Sequence, residues 1–345
     1  MKNNLKISVV LVTYNGEKTI KDCLNLFFEQ DYPKNKVEMI IADGGSTDKT
    51  LEIIKSYQKK YPKVIKLINN PKRYKVGRGG GADIASKKAK GEFILLIDQD
   101  NLLPQKFWLT RMVEILENNK DISCVQSLTL TPKKGSLMDR YLGAIGIEDP
   151  FAVSYSLKSE VILHPNKFKY NSKDKYYDYL IDKEYFFYGG DNGFLIRRKD
   201  FFDNGGYTQD IDNFYRMALG KKKYHVAVPS DLRVFHKTSS EFLEFVSKRA
   251  FYVRYYLKEN IEKRDFYWIN LKKNTFKQNL KFIKNVAFNL ILLPRLFDSL
   301  KMAVKQREPS WLIHPILAFV ITSSYIYSFL AVKLFNQKNL RRNKK

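Results

Sequence analysis

Short apolar runs alternate with amphipathic segments through the first two thirds of the chain. The runs are rich in Ile, Val and Leu, which is typical of strands buried on both faces. They cover residues 7–14, 37–43, 64–68, 93–100 and 123–130, with shorter runs at 225–228 and 233–236 and a further patterned segment at 189–198. Intervening segments place apolar side chains at helical spacing, as in residues 17–30, 51–61 and 104–116. This alternation predicts an α/β fold with a doubly wound, mostly parallel sheet.

The last third has a different pattern. Residues 242–260 interleave aromatic residues with Lys and Arg, as an amphipathic helix at a membrane interface would. Leu312–Val332 is a run of 21 residues without a formal charge, long enough to cross a hydrocarbon layer of about 30 Å. The apolar residues 286–300 contain Arg295 and Asp298, so they form a poor independent span. They suit a re-entrant helix, an interfacial helix or one half of a hairpin.

Two domains follow from this change of pattern. We expect an α/β domain at residues 1–240 and an α-helical, membrane-associated region with a basic cytoplasmic tail at residues 241–345. Residues 133–188, rich in Tyr, Lys and Asp, have no clear periodicity and are left unassigned. Irregular insertions of this kind often carry substrate-specific contacts.

The distribution of positive charge along the chain supports a membrane as its binding partner. The 345 residues carry a formal net charge of +25, and 21 basic against 7 acidic residues from Glu241 onward give +14 of it to the helical part. Basic charge beside long apolar runs points to an anionic membrane surface before nucleic acid. An RNA-binding surface uses similar residues, but no nucleic-acid-binding motif accompanies them.

Orientation limits the number of crossings. The first residues lack an apolar signal region, so we expect the first domain in the cytoplasm. The tail KNLRRNKK is basic enough for the positive-inside rule to place it there too. One crossing cannot leave both ends on one side, so either both apolar segments cross or neither crosses fully. Two crossings are the favoured expectation. Cys23 and Cys124 lie in apolar periodic segments and are expected to be buried thiols, not a disulfide or metal pair.

The run at residues 93–100 ends on two carboxylates, Asp98 and Asp100. The carboxyl ends of parallel strands open into a ligand crevice, and two hard oxygen ligands there suit Mg²⁺ or Mn²⁺ holding substrate phosphates. The simpler interpretation is that both residues cap the next helix. The pattern is weak alone, because Asp210 and Asp212 form a second copy.

In order and spacing, six segments together resemble inverting family 2 glycosyltransferases, enzymes with a GT-A fold and nucleotide-sugar donors. They are VLVTYNGEKTI, IIADGGSTDKTLEII, AKGEFILLIDQDN, GGDNGFLIRRKDFFDNGGY, QDIDNFYRMA and VPSDLRVFHK, and they span roughly residues 5–237. Each segment is short, but their joint order makes the resemblance specific.

The resemblance implies a set of donor-binding residues. The backbone of Thr13 and Tyr14 would line the nucleotide base pocket, with Glu17 close by. Asp43 would accept a hydrogen bond from the imide N–H of uracil, although an Asp before Gly-Gly also suits a turn. Asp98 would contact the ribose or a metal-bound water. The remaining candidates lie in GRGGGAD, where Asp83 stands in place of the family's usual Asn and Arg78 and Lys75 would reach the diphosphate.

The resemblance also implies a metal site and a base. Asp100 would bind the metal directly, with Asp98 and His236 as further ligands, although His236 also suits a purely structural role. Asp210 would remove the proton of the acceptor hydroxyl as the nucleophile attacks the anomeric carbon. Gln209 replaces the family's usual Glu and the loop before it is short, so Asp212 stays an alternative base, and either residue also suits an N-cap.

We therefore expect a glycosyltransferase of the hexosyltransferase class at the cell membrane, with its catalytic domain in the cytoplasm. It would use Mn²⁺ or Mg²⁺ to move a sugar from a nucleotide-sugar, in the first instance a UDP-sugar, to a lipid-linked or cell-envelope glycan acceptor. The alternative is a membrane-bound nucleotide- or glycan-binding protein of the same fold without turnover. A dinucleotide-binding interpretation of GRGGGA is disfavoured, because that motif belongs directly after the first strand and here follows the third.

Overall fold

The computed structural model describes residues 5–70, 78–184, 186–208, 211–237, 241–255, 265–266 and 274–335, without the side chains of Arg78, Tyr255 and residues 333–335. The strands are β1 (Ile7–Thr13), β2 (Val37–Asp43), β3 (Ile65–Asn69), β4 (Phe93–Asp98), β5 (Asn101–Leu102), β6 (Ile122–Gln126), β7 (Leu128–Thr129), β8 (Lys169–Asn171), β9 (Tyr176–Leu180), β10 (Phe194–Arg197), β11 (His225–Pro229) and β12 (Arg233–His236).

The helices follow in chain order. They are α1 (Ile20–Phe28), α2 (Thr50–Lys60), α3 (Arg78–Ser86), α4 (Trp108–Asn118), α5 (Leu137–Ile145), α6 (Leu157–Leu163), α7 (Arg198–Asp203), α8 (Asp212–Leu219), α9 (Phe242–Tyr255), α10 (Phe276–Ile291), α11 (Leu293–Gln306) and α12 (His314–Phe335). Short 3₁₀ helices occupy Pro150–Tyr155 and Pro309–Ile313.

These elements form two compact units. The first contains Met1–Leu130 and His164–Lys237, and the second contains Thr131–Leu163 and Thr238–Lys345. The predicted boundary at residue 240 lies close to the break after Lys237. The grouping of residues 131–163 with the C-terminal helices was not expected, because that segment shows no pattern of its own.

The first unit is built on a nine-stranded sheet of order β3-β2-β1-β4-β10-β6-β11-β9-β8. Strands β3, β2, β1 and β4 are parallel, β10 is antiparallel to both its neighbours, and β6 and β11 are parallel. Strands β9 and β8 continue the sheet antiparallel. The predicted doubly wound, mostly parallel sheet is confirmed.

Burial explains why the sequence pattern predicted this sheet. Every residue of β2 is buried, and β1 and β4 are buried except near their carboxyl ends. Helix α4 packs Trp108, Met112 and Ile115 into the core beside the sheet. Cys23 and Cys124 are buried free thiols, as predicted, and burial raises the pKa of both.

Tertiary pairing changes several predicted bounds. The run at residues 93–100 leaves the sheet after Asp98, and the run at 123–130 divides into β6 and β7. The unassigned region 133–188 contains α5, α6, β8 and β9. Helix α9 covers residues 242–255 of the predicted helix, whose last five residues lie outside the described ranges.

The second unit holds the apolar runs of the last third. Within the described ranges, one helical stretch, Pro309–Val332, is long and apolar enough to cross a membrane. The expected second crossing through residues 286–300 is wrong as a continuous helix. Helix α10 stops at Ile291, Leu292 adopts a φ of +67°, and α11 begins beside Pro294. The tail KNLRRNKK lies outside the described residues.

Candidate functional site

Three predicted site residues end adjacent parallel strands. The register pairs Thr13 of β1 with Asp43 of β2, and Val12 with Asp98 of β4. The carboxyl edge of the sheet therefore gathers Thr13, Asp43 and Asp98. This edge is the usual ligand crevice of an open α/β sheet.

Asp43 organises the turn that follows β2. Its Oδ2 accepts hydrogen bonds from the backbone N–H groups of Gly45 and Ser46 at 2.8 and 2.9 Å, and its Oδ1 accepts the Ser46 hydroxyl at 2.5 Å. A carboxylate has about four acceptor positions, so Oδ1 keeps capacity for one further donor. The turn-forming role and the predicted base-binding role are compatible.

Asn70 is a site candidate that sequence reasoning missed. It follows β3, and its backbone N–H donates to Asp43 O at 2.7 Å. The side chain is 2 % exposed, and neither of its polar atoms has a hydrogen-bond partner in the structure of the described residues. An orphaned buried amide is costly in a native protein and suggests a missing ligand. The sequence signal was an amide directly after a strand.

Gln99 is a second residue that sequence reasoning missed. Its Oε1 accepts from the Thr13 hydroxyl at 2.6 Å and from the Tyr14 N–H at 3.0 Å, and its Nε2 donates to Tyr14 O at 3.3 Å. A Cβ on Gly16 would lie 2.2 Å from Gln99 Oε1, so a larger residue there would displace the Gln99 amide. The residue between the two aspartates therefore fixes the loop after β1.

The loops after β1 and β2 are joined by side chain–backbone hydrogen bonds. Asn15 Oδ1 accepts from Thr47 N at 2.9 Å, and Thr50 Oγ1 accepts from Gly16 N at 2.7 Å. Glu17 takes part, since its Oε2 accepts from Lys49 N at 3.2 Å. The structure thus assigns Glu17 a contact that orders the crevice wall.

A small second sheet, of order β5-β12-β7, brings His236 to Asp100. Antiparallel pairing sets His236 opposite Asn101, and Lys237 N donates to Asp100 O at 3.1 Å. His236 Nε2 then lies 3.1 Å from Asp100 Oδ1. Asn101, fully buried, accepts from Asp98 N at 3.1 Å through its Oδ1 and holds the turn between the two aspartates.

The Asp100–His236 pair fits a divalent metal. Two ligand atoms at about 2.1 Å from an octahedral ion lie about 3.0 Å apart when adjacent, close to the observed separation. Among the described residues, however, no group of three His, Cys, Asp or Glu side chains is arranged to hold an ion. The fold therefore brings Asp100 and His236 together, while metal binding by these two residues and by Asp98 stays a prediction.

The other predicted donor residues lie on α3. A Cβ on Gly81 would meet Val12 Cγ1 at 2.8 Å and Asn70 Nδ2 at 2.9 Å, so this glycine lets α3 approach the sheet edge. Asp83 Oδ2 forms an ion pair with Lys87 at 2.8 Å. The side chain of Arg78 and all of Lys75 lie outside the described residues.

Of the two candidate bases, the structure describes Asp212 but not Asp210. Gln209 and Asp210 lie outside the described residues. Asp212 is the first residue of α8, its side chain is fully buried, and its Oδ2 accepts from the Thr208 hydroxyl at 3.5 Å. A base must touch the acceptor hydroxyl, so complete burial disfavours Asp212 in this role.

Hydrogen bonds from the side chain of Gln126 hold the loop GGDNG, residues 189–193, which precedes β10. Gln126 Oε1 accepts from Gly190 N at 2.9 Å, and its Nε2 donates to Asn192 O at 3.1 Å. Gly193 has a φ of +77°, and a Cβ there would lie 2.2 Å from Ser127 Oγ. The predicted motif thus has a defined shape in the first unit.

Comparison with known proteins agrees with this fold. The model of the family described as "Glycosyl transferase family 2" matches residues 8–202. The chain therefore belongs to glycosyl transferase family 2 and is a glycosyltransferase with a GT-A fold.

Two relatives and one solved structure are similar. A Methanococcus voltae dolichyl N-acetyl-α-D-glucosaminyl phosphate 3-β-D-2,3-diacetamido-2,3-dideoxy-β-D-glucuronosyltransferase is 25% identical over 94% of this chain and 95% of its own length. Staphylococcus aureus TarS, a poly(ribitol-phosphate) β-N-acetylglucosaminyltransferase, is 35% identical over 35% of this chain, a match that spans 21% of TarS. The mannosyltransferase PcManGT from Pyrobaculum calidifontis, solved with GDP-Man and Mn²⁺, has a TM-score of 0.52 at 15% identity, covering 93% of this chain and 87% of that one.

Proposed function

We propose that the chain transfers a sugar from a nucleotide-sugar to a lipid-linked glycan acceptor with inversion, in a divalent-metal-dependent reaction at a membrane. The observation that carries the proposal is the approach of His236 to Asp100 at the carboxyl edge that also gathers Thr13, Asp43 and Asn70. A nucleotide pocket and a metal pair on one edge are what transfer from a nucleoside diphosphate requires.

The nucleotide base would contact Asp43 and Asn70. Asp43 Oδ1 keeps an acceptor position, and the Asn70 amide offers both a donor and an acceptor. Uracil presents an imide N–H flanked by two carbonyls, which matches this pair and favours a UDP-sugar. Thr13, Tyr14 and Glu17 would shape the wall of the pocket, while Asp98 would contact the ribose.

Asp100 and His236 would hold Mn²⁺ or Mg²⁺, with Asp98 nearby, and the ion would neutralise the diphosphate leaving group. Arg78 and Lys75 would reach the diphosphate, and Asp83 of α3 would take the place of the family's usual Asn in the donor site. Asp210 would accept the proton of the acceptor hydroxyl as that oxygen attacks the anomeric carbon. The burial of Asp212 supports Asp210 as the base.

The acceptor is proposed from the relative that covers most of the chain. The name of the Methanococcus voltae protein describes a dolichyl phosphate-linked sugar as acceptor, and the similarity extends over 94% of this chain, including the helical unit. A lipid-linked acceptor also suits a chain with a candidate membrane helix.

A donor screen tests the proposal. Purified protein is incubated with UDP- and GDP-sugars, Mn²⁺ and a short polyprenyl phosphate-linked sugar, and nucleoside diphosphate release is followed. We expect release that depends on both metal and acceptor. Saturable nucleotide binding without release from any donor would instead support the non-catalytic alternative.

A further inference from the structure

The helices α10, α11 and α12 each expose one apolar stripe. On α10 it contains Phe276, Leu280, Ile283, Leu290 and Ile291; on α11, Leu293, Leu296, Phe297, Leu300 and Val304; on α12, Ile316, Phe319, Ile326 and Leu330. Phe297 is 65% exposed and Val304 is 79% exposed. Exposed apolar surface on this scale marks an interaction site.

The same helices bury polar side chains. Asn285 and Asn289 of α10 are 6% and 1% exposed, and at 3.6 residues per turn they lie opposite the α10 stripe. Asn289 Nδ2 donates to Thr322 Oγ1 of α12 at 2.9 Å, and Arg295 of α11 donates to Asn289 Oδ1 at 2.7 Å. Polar groups that join helices inside, with apolar groups outside, are typical of protein surrounded by lipid.

Basic residues accompany the stripes. Lys277 and Lys284 are exposed on α10, and Lys301 and Lys305 are exposed on α11. Lysines that extend from an apolar face suit anionic lipid headgroups, whereas a second copy of the same face would bring like charges together. The charge pattern therefore favours a bilayer over self-association as the partner of this surface.

The other side of α12 contacts elements that carry charged residues near its start and at its middle. Near its start, Trp311 and His314 pack on Tyr141, and Arg140 forms an ion pair with Glu308 at 2.8 Å. Midway along the helix, Tyr325 donates to Asp149 Oδ2 at 2.7 Å.

Helix α9 adds charge on this side. Arg254 donates to Ser328 Oγ of α12 at 3.0 Å, and Arg249 forms an ion pair with Glu148 at 3.1 Å. If α12 crossed a bilayer, these neighbours and their charges would have to enter the hydrocarbon with it, which is costly.

We propose that the helical unit sits in one leaflet of an anionic bilayer through its three stripes, with α12 lying along the surface and no segment crossing. This placement deepens the proposed function, because it puts the enzyme on the membrane that would hold a lipid-linked acceptor. It also removes the orientation conflict, since both ends of the chain stay on one side without a second crossing.

Sidedness is the first test. The full-length protein is given one surface cysteine, Lys88→Cys in the first unit or Lys345→Cys at the end of the tail, since its own cysteines are buried. Inverted and right-side-out membrane vesicles are treated with an impermeant maleimide. We expect both positions to react in the same vesicle orientation. Reaction in opposite orientations would mean that the chain crosses, and the proposal would be wrong.

Vesicle binding is the second test. Purified full-length protein is mixed with phosphatidylcholine vesicles, with or without phosphatidylglycerol, and bound protein is measured by flotation. Ile283→Glu with Phe297→Glu should lower partitioning by about tenfold or more, because each side chain loses apolar burial. Leu219→Glu with Phe107→Glu, which adds the same charge at two exposed apolar positions of the first unit, should bind like the unchanged protein.

Controls keep the outcomes distinct. Thermal unfolding shows whether the variants fold. If they do not, the maleimide-labelling experiment alone tests the proposal. Equal vesicle binding by the folded double variant, or a lipid-free dimer that the same substitutions dissociate, would overturn the proposal. Neither test measures sugar transfer, so failure of the proposed enzymatic function is seen separately, in the donor screen.

Discussion

His236 Nε2 lies 3.1 Å from Asp100 Oδ1, although the two residues are far apart in the chain. The contact depends on the short antiparallel pairing of β12 with β5, which starts directly after Asp100. The second carboxylate of the Asp-x-Asp pattern is thereby given a nitrogen partner.

Replacing Asp100 with Asn should abolish metal-dependent turnover while the protein still folds. The change removes an anionic ligand without opening a cavity, so we expect activity to fall by on the order of 10² or more at limiting Mn²⁺. Activity is measured by nucleoside diphosphate release over a Mn²⁺ titration, with thermal unfolding as a control. Near-normal activity at limiting Mn²⁺ would remove Asp100 from the metal site.

Asp210→Asn should lower transfer by a factor on the order of 10² to 10⁴ with little change in donor affinity, because a general base acts in the transition state. Asp212→Asn should reduce stability more than chemistry, since its carboxylate is fully buried. Steady-state kinetics and thermal unfolding of both variants separate the two effects. A larger kcat loss in a stably folded Asp212→Asn protein would make Asp212 the base.

Asn70→Ala should weaken nucleotide binding by about tenfold or more without loss of stability. Its amide has no partner in the structure of the described residues, so removing it costs the fold little but leaves a bound base unsatisfied. Asn101→Ala is the control, because Asn101 holds the Asp98 backbone and its loss should lower stability. Calorimetric UDP titration beside thermal unfolding checks both. Unchanged UDP affinity in Asn70→Ala would exclude the residue from the pocket.

Glu38 should make stability depend on acidic pH. Burial raises its pKa, but hydrogen bonds from Lys66, Ser8 and the Lys90 backbone outweigh this and leave the pKa below its ordinary value of 4.5. Ionised Glu38 therefore stabilises the folded protein at neutral pH. This stabilisation is lost as the pH falls below about 4.5 and passes through the lowered pKa.

Glu38→Gln should be less stable than the unchanged protein by about 1–3 kcal/mol at pH 7 and more nearly equal to it near pH 3. Denaturant unfolding at several pH values measures the difference. The exposed Glu92→Gln, which weakens a surface ion pair with Lys6, should change stability little. A stability difference for Glu38→Gln that does not vary with pH would contradict the assignment.

A chain cut after Lys237 should fold poorly. Residues 131–163 would lose their partners in the second unit, among them the contacts of Tyr141 with Trp311 and of Phe151 with Phe282. Tyr141 is fully buried in the intact chain, so the cut exposes apolar surface and should cause aggregation. Size-exclusion chromatography after expression tests this. A monodisperse fragment that binds UDP as tightly as the full chain would show that residues 131–163 fold without the C-terminal helices.

The sequence by itself determined the α/β sheet and the carboxyl-edge position of several site residues. Buried strands such as β4 are continuous apolar runs that end on a polar residue, and β2 also ends on one, so Asp43 and Asp98 could be placed at the carboxyl edge from the pattern alone. The resemblance to the family predicted His236 as a further metal contact, and the fold brings it to Asp100.

Only the tertiary structure decided the rest, because those features depend on contacts between distant segments. The Asn70 side chain is buried without a hydrogen-bond partner among the described residues, and the Gln99 side chain bonds to the loop after β1. The sequence around each residue shows no pattern that predicts these properties. Residues 131–163 joined the C-terminal helices through side chains whose partners lie more than a hundred positions away. The apolar runs in the sequence located the segments that could contact a membrane. Only the structure showed which face of α10 is exposed and apolar, because Asn285 and Asn289 are buried on the opposite face.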